Sequence, residues 1–396
     1  MRLGLFENFY PAKDRLGTHS TSLALLLQRA DPDLVLDLSV PRGALWPTPF
    51  PSSRVVFDPS WTHGDSPSLV RAARSLARRV GRDGPVMFNW FPTCFGETRA
   101  ANATGMLLPA VVRASTRRAP FVYAHNFIET QDVGRLGYRP SRVERFAVGA
   151  FERALARTSN VIVPLESQRR SVAALFGGSV VARPIPFAEA LFGHWVHELL
   201  QDVDHGRAIP PKRKFRVLLF GVWGPAKDLG SVLPVLERLY RDGHDFETVF
   251  AGSFNRFFPA FRARLNDAVG RLPPDSCQFV ADPPDEATPE LFGSSDLVIL
   301  PYNAIAGPSG VMGLSAFHGC AIVAYDVAEL REYDAILEGR TTFVPPRAPD
   351  DLYGAIERGL AGRLPRSTEP AASKVDRAVR AALRLEQYLG SPGSGA

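Results

Sequence analysis

Lys227 is one of very few lysines in a chain whose basic side chains are nearly all arginine. It stands six residues after Gly221, at the end of the apolar run Phe215-Arg-Val-Leu-Leu-Phe-Gly221, and just before Asp228-Leu229-Gly230, where a helix is expected to begin. An ammonium beside the exposed amides of a helix start can hold a diphosphate, because both attract anionic oxygens. A solvated surface lysine is the alternative. A second set of donors comes from the turn Gly307-Pro308-Ser309-Gly310-Val311, which leads into a helix over Met312–Phe317, then Gly319 and another apolar run. One proline and two glycines let backbone approach closely, and the amides of Ser309, Gly310 and Val311 would line one edge. An ordinary strand-to-helix turn has the same composition.

The first half offers two weaker signals. A strand over Leu3–Phe6 passes through a loop ending in Gly17-Thr18 and enters a leucine-rich helix. Amides at that helix start could take a phosphate, or Thr18 could simply cap the helix. His125 directly follows the apolar run Phe121–Ala124, which places it at the carboxyl edge of a parallel sheet, where ligands of such sheets bind. Taken alone, a histidine is more often structural. Glu329 and Glu332, three residues apart, suit either a cleft or a solvent-facing turn. The chain carries no GxSxG, HExxH or GxxxxGK[ST] motif. His194 and His197 are three apart, a spacing that alone does not make a metal-ligand set, so no metal site is expected.

Alternating apolar runs and amphipathic segments would position these residues, and that alternation predicts an α/β protein with parallel sheets covered on both faces. Strands are expected at Leu3–Phe6, Leu34–Leu38, Arg54–Phe57, Val86–Asn89, Phe121–Ala124 and Val161–Pro164, with helices at Thr18–Ala30, Ser66–Val80, Gly105–Ala114 and Arg142–Arg157. The second half predicts strands at Val217–Phe220, Thr248–Ala251, Cys277–Val280, Leu297–Leu300, Ala321–Ala324 and Thr342–Val344. The division expected is a first domain over 1–187, a linker over 188–214, a second domain over 215–365, a C-terminal helix within 366–390 and a disordered tail over 391–396.

At 396 residues the chain exceeds one ordinary core, in keeping with two domains. Hydrophobic residues make up 45% and charged residues 22%, which excludes wholesale disorder and a membrane bundle. The formal charge of +5 is spread along the chain, with small clusters such as Arg78-Arg79 and Lys212-Arg213-Lys214. Nucleic-acid binders concentrate charge in one patch, so no nucleic-acid partner is expected. A solvated surface explains the clusters, with peripheral contact to an anionic membrane as the alternative. Cys94, Cys277 and Cys320 are far apart and read as buried thiols in a reducing compartment. No apolar run is long enough to span a bilayer, and the N-terminus reads directly as a strand. A cytoplasmic location is expected, with association at the inner membrane face left open.

Together these stretches resemble a known family. Gly221 to Lys227-Asp228, the Ala251-Gly252 strand end, Ser295 to Tyr302 and Ser309-Gly310-Val311 to Gly319 are similar to retaining nucleotide-sugar glycosyltransferases of family four. In the first half the loop from Tyr10 to Thr18, His125-Asn126, and Phe151 to Pro164 are similar too. The resemblance implies the GT-B fold, two Rossmann-like domains facing across a cleft. It also implies a nucleotide-sugar co-substrate with no further cofactor and no metal, and an acceptor that is a glycan, a lipid-linked saccharide or a small metabolite. On this reading Lys227 neutralises the donor diphosphate beside the Gly221 loop. The amides of Gly17-Thr18 and of Ser309, Gly310 and Val311 hold the same group, His125 contacts the transferred sugar, and Ser315 faces the nucleotide ribose. The family commonly has an arginine where this chain has Val222, Trp223 and Gly224, and two glutamates where it has Gly307 and Ser315. Those departures motivate a rival expectation: a catalytically silent GT-B module that assembles with, or regulates, another transferase. An epimerase on the same fold is a third.

Overall fold

The structure is a computed structural model that describes the chain apart from residues 10–14, 47–53, 92–93, 97, 132, 135, 138, 189, 192–193, 196–211, 256–257, 259, 274, 285–286, 306 and 392–396. Packing divides the chain into two compact units. One comprises Met1–Gln131, Pro140–Phe192 and Val375–Ala396; the other comprises Asp132–Arg139 and Gly193–Lys374.

The first unit is built on a parallel sheet of β1 (Arg2–Phe6), β2 (Val35–Pro41), β3 (Val55–Trp61), β4 (Val86–Trp90), β5 (Phe121–Ala124), β6 (Asn160–Val163) and β7 (Val180–Ala182). Its order is β3-β2-β1-β4-β5-β6-β7, so the strand order reverses direction between β1 and β4. Strands β1, β4, β5 and β6 are near-continuous apolar runs because helices bury both of their faces. Helix α1 (Arg15–Ala30) starts before the Thr18 expected from sequence. Gly17 is held inside it because a glycine costs a helix only about 1 kcal/mol, while the helix buries Leu23, Ala24, Leu26 and Leu27.

Helix α2 (Ser66–Val80) buries Leu69, Ala72, Ala73, Leu76, Ala77 and Val80 along one face and ends at Gly81, whose φ is +89°. Gly4 in β1 lets that face press on the sheet, since a Cβ there would stand 2.7 Å from Val80 Cγ2. Helix α3 (Arg99–Arg113) is capped by Thr98, whose Oγ1 accepts from the Ala101 amide at 3.2 Å. Helix α4 (Arg142–Thr158) opens with a reciprocal cap: Ser141 Oγ accepts from the Glu144 amide, and the Glu144 carboxylate accepts from the Ser141 amide at 2.8 Å. Helix α5 (Glu166–Phe176) and β7 complete the unit.

The second unit carries a parallel sheet of β8 (Arg216–Phe220), β9 (Glu247–Gly252), β10 (Cys277–Ala281), β11 (Leu297–Leu300), β12 (Ala321–Tyr325) and β13 (Thr341–Val344). The order β10-β9-β8-β11-β12-β13 reverses between β8 and β11. Its helices are α6 (Leu229–Arg241), α7 (Ala260–Val269), α8 (Thr288–Gly293), α9 (Gly310–Phe317), α10 (Ala328–Leu337) and α11 (Pro349–Leu360); α12 (Ala371–Gly390) follows. Glu329 and Glu332 fall on α10, a helix of ten residues rather than a short turn. Within the β8 strand the Arg216 guanidinium is fully buried, bonded to Glu247 Oε1 at 2.7 Å and to Ser294 Oγ at 2.8 Å. Lys374, also buried, donates to the Ala316 and Phe317 carbonyls at 2.8 and 2.9 Å, satisfying the last turn of α9.

Candidate functional site

In the second unit the candidate residues collect where the strand order reverses. Strand β8 ends at Phe220 and the chain turns at Gly221, whose φ is +116°. No side chain fits there: a Cβ would stand 2.5 Å from Lys227 Nζ and 3.6 Å from Val311 Cγ2. Lys227 and the first turn of α9 therefore meet over the same glycine. The neighbouring strand end is equally tight, for a Cβ on Gly252 would run into the Gly221 carbonyl.

Lys227 is nearly buried. Its ammonium donates to the Phe220 carbonyl, and it lies 4.6 Å from the Trp223 ring centroid and 5.5 Å from that of Tyr302. The backbone fixes this placement: Lys227 forms an antiparallel bridge with Tyr302, and the Asp228 amide donates to the Pro301 carbonyl at 2.8 Å. Lys227 is thus strapped to the end of β11 while α6 begins after it, with Asp228 accepting from the Ser231 amide at 3.2 Å. Across the turn, Ser309 caps α9 by accepting from the Met312 amide at 3.1 Å. Burial pushes the Tyr302 hydroxyl up to about 12, against a smaller lowering by its bond to Ser309. Among the described residues the Gly310 and Val311 amides have no hydrogen-bond partner, and both residues are only half-buried. A cation and two helix-start amides beside one glycine can hold an anion. Ser315 is fully buried, and its hydroxyl donates to the Val311 carbonyl of its own helix at 2.7 Å.

In the first unit the corresponding reversal lies between β1 and β4, and the residues there form one hydrogen-bonded cluster around Asn89. Its Oδ1 accepts from His125 Nε2 at 2.7 Å, and its amide nitrogen donates to Ser20 Oγ at 2.6 Å and to His19 Nδ1 at 3.3 Å. Asn89 thereby sets both histidine tautomers. The two imidazoles pack edge to face, 4.5 Å between centroids, and His125 also packs on Tyr123. Burial lowers the His125 pKa to about 4 and pulls His19 well below its usual value, with the charge of His125 adding to the second effect. Both rings are neutral at physiological pH. Gln168 donates to the His125 carbonyl at 2.8 Å and holds its backbone.

Glu7, the residue after β1, is fully buried beside this cluster. Burial raises its carboxyl well above the usual range. Gly17 and Thr18 lie buried in the first turn of α1, just before His19 and Ser20.

His125 is brought together with His19, Asn89 and Ser20, while Lys227 is brought together with Gly221, Val311 and Tyr302. Sequence reasoning missed Asn89, Glu7 and Tyr302. Asn89 reads as one more strand residue, and its partners are distant in sequence. Among the described residues no group of three histidine, cysteine or acidic side chains could hold a metal, and no helix is long and apolar enough to cross a membrane. His194 packs on Phe317, and His197 lies outside the described residues.

No family model and no curated protein matches the sequence. Solved structures do match along nearly the whole chain. Anabaena HepE in complex with UDP and glucose aligns over 99% of this chain and 100% of its own, with a TM-score of 0.63 and 13% identity. Sucrose-phosphate synthase from Thermosynechococcus elongatus aligns over 98% of each chain, with a TM-score of 0.66 and 14% identity. A glycosyltransferase from Rickettsia africae covers 98% of this chain and 97% of its own, at 0.61 and 10%. The chain has the GT-B fold. Two Rossmann-like units with parallel sheets, each reversing strand order after its first three strands, account for the likeness at such low identity.

Proposed function

We propose that the protein is a retaining glycosyltransferase that moves a sugar from a nucleoside-diphosphate donor to an acceptor hydroxyl. The observation that carries the reading is the meeting of Lys227 and the start of α9 over Gly221, at the strand reversal of the second sheet. There the ammonium and the amides of Gly310 and Val311 hold the donor diphosphate. UDP-glucose is the first donor to test and UDP the first nucleotide, because HepE was solved with them. In the reaction the bond from the anomeric carbon to the diphosphate oxygen breaks. The acceptor oxygen bonds to that carbon on the same face, and its proton passes to the leaving diphosphate. The protein's contribution is to stabilise the charge left on that group, a task a fixed cation and oriented amides perform without a metal. His125, held neutral and oriented by Asn89, contacts the transferred sugar. The acceptor class remains the glycan, lipid-linked saccharide or small metabolite that the family resemblance implies.

The test is calorimetric titration of UDP into wild type and Lys227→Met, which keeps the aliphatic stem and removes the charge. Loss of a charge-assisted contact predicts affinity weaker by about tenfold or more. Equal affinity in the two proteins, or no nucleotide binding in wild type, refutes the role of Lys227. A second reading, a GT-B module without turnover, draws on one observation: Ser315 spends its hydroxyl on Val311 rather than on a ligand. Nucleotide binding without donor hydrolysis or transfer over long incubation would select it.

A further inference from the structure

Helix α4 carries a row of arginines that faces a hollow. Arg142, Arg145, Gly149 and Arg153 recur at helical spacing on one side of it. Together with Phe146 and with Glu129, from the 3₁₀ turn Ile128–Thr130, they line an open cavity of about 500 Å³. That is the size range of small-molecule sites. Gly149 keeps the floor open: it is buried, and a Cβ there would stand 3.1 Å from Glu129 Cδ.

Three guanidinium groups around one cavity repel one another unless an anion joins them. Among the described residues none of the three makes a side-chain hydrogen bond or an ion pair, whereas other arginines nearby do. Arg99 is paired with Glu144 on this same helix, and Arg169 with Glu166. Glu129 is the one carboxylate in the lining, so three cations against one anion leave a surplus of two positive charges. A phosphomonoester carries about −1.5 to −2 at neutral pH, and guanidinium forks match its oxygens in pairs. Beside the arginines, Phe146 is 79% exposed and Val143 77% exposed, an apolar surface without cover on the same helix.

We propose that this cavity binds a phosphomonoester carried on an apolar body. Arg142, Arg145 and Arg153 grip the phosphate, Phe146 covers the apolar part, and Glu129 accepts from a hydroxyl of the ligand. A soluble phosphorylated amphiphile and a lipid headgroup present the same chemistry. The site stands apart from the sugar-transfer reading, because its test reads binding and not turnover.

The full chain is titrated by calorimetry with monooctyl phosphate and with inorganic phosphate. In parallel it is floated with phosphatidylcholine vesicles with and without phosphatidic acid. Arg145→Ser and Arg153→Ser are each expected to weaken binding by about tenfold. Phe146→Ser weakens monooctyl phosphate and spares inorganic phosphate. Arg157→Ser makes the same charge change at an exposed position of α4 outside the cavity, and leaves binding intact. All four positions are exposed, so the variants fold. Saturable monooctyl phosphate binding with this pattern identifies a soluble ligand. The same pattern on phosphatidic-acid vesicles alone identifies a headgroup. Absence of binding to both probes, or an equal loss in Arg157→Ser, overturns the site.

Discussion

Glu152 gives the first unit a stability that depends on pH in a direction opposite to that of most carboxylates. It lies on the buried face of α4, where Oε1 accepts from the Ile128 amide at 2.6 Å and Oε2 from the Glu129 amide at 3.1 Å. Burial raises its pKa from 4.5 to about 7, in spite of the two amide bonds, and the charge of Glu129 adds to the rise. Between those values the folded protein keeps a proton that the unfolded chain has released. The contribution is therefore fully present below pH 4.5 and is lost as pH rises through 7. The interval corresponds to about 3 kcal/mol. Glu152→Gln mimics the protonated carboxyl and removes the dependence. His19 and His125 act the other way, since their neutral forms are favoured in the fold and their contribution is lost as pH falls below 6.5. Both remain in the variant and cancel in the difference. Thermal unfolding of the two proteins from pH 4.5 to 8 should show the wild type falling relative to Glu152→Gln by about 6–12 °C. A difference that stays flat, or that widens in favour of the wild type as pH rises, refutes the argument.

The second unit supports two further tests. Arg216→Met leaves Glu247 buried without its cation and should cost about 3–5 kcal/mol in urea unfolding; adding Glu247→Leu should restore most of that stability, because burying the pair carries its own desolvation penalty. Gly252→Ala places a methyl group against the Gly221 carbonyl at a φ of +128°, so a loss of at least about 2 kcal/mol is expected by the same measurement.

Most strands were legible because a parallel strand covered on both faces must be apolar almost throughout. Val217–Phe220 and Leu297–Leu300 were readable on that ground alone. Strand β7 was not, being three half-buried residues at the sheet edge after two glycines. Helix α5 was also missed. Its buried positions are few and include Gln168, so it shows a weak apolar stripe, while its place is fixed by the Gln168 bond to the His125 carbonyl. The start of α3 was masked in the same way, since its first two turns carry Asn102 and Thr104 and its start is set by the Thr98 cap.

The two clusters of candidate residues, one in each unit, differ in how far sequence could reveal them. Lys227 was conspicuous through its scarcity and its distance from Gly221, and the structure adds why that distance suits it: the Tyr302 bridge and the Asp228 cap hold the residues between in one tight loop. Such local geometry leaves a trace in sequence. The Asn89 cluster leaves none, because its members come from the ends of strands β1, β4 and β5 and from helix α1, which supplies both His19 and Ser20. Only the order of the sheet makes them neighbours. A strand that reverses the winding direction leaves its carboxyl end uncovered by a crossover, and polar side chains from both flanking strands can then meet. That rule explains how Glu7 and Asn89, ordinary strand-end residues in the linear reading, come to sit with His125. It also shifts the local chemistry from charge to tautomer and orientation: His125, titrating near 4, is an uncharged hydrogen-bonding group at neutral pH, and it sits near a Glu7 carboxyl whose pKa burial raises.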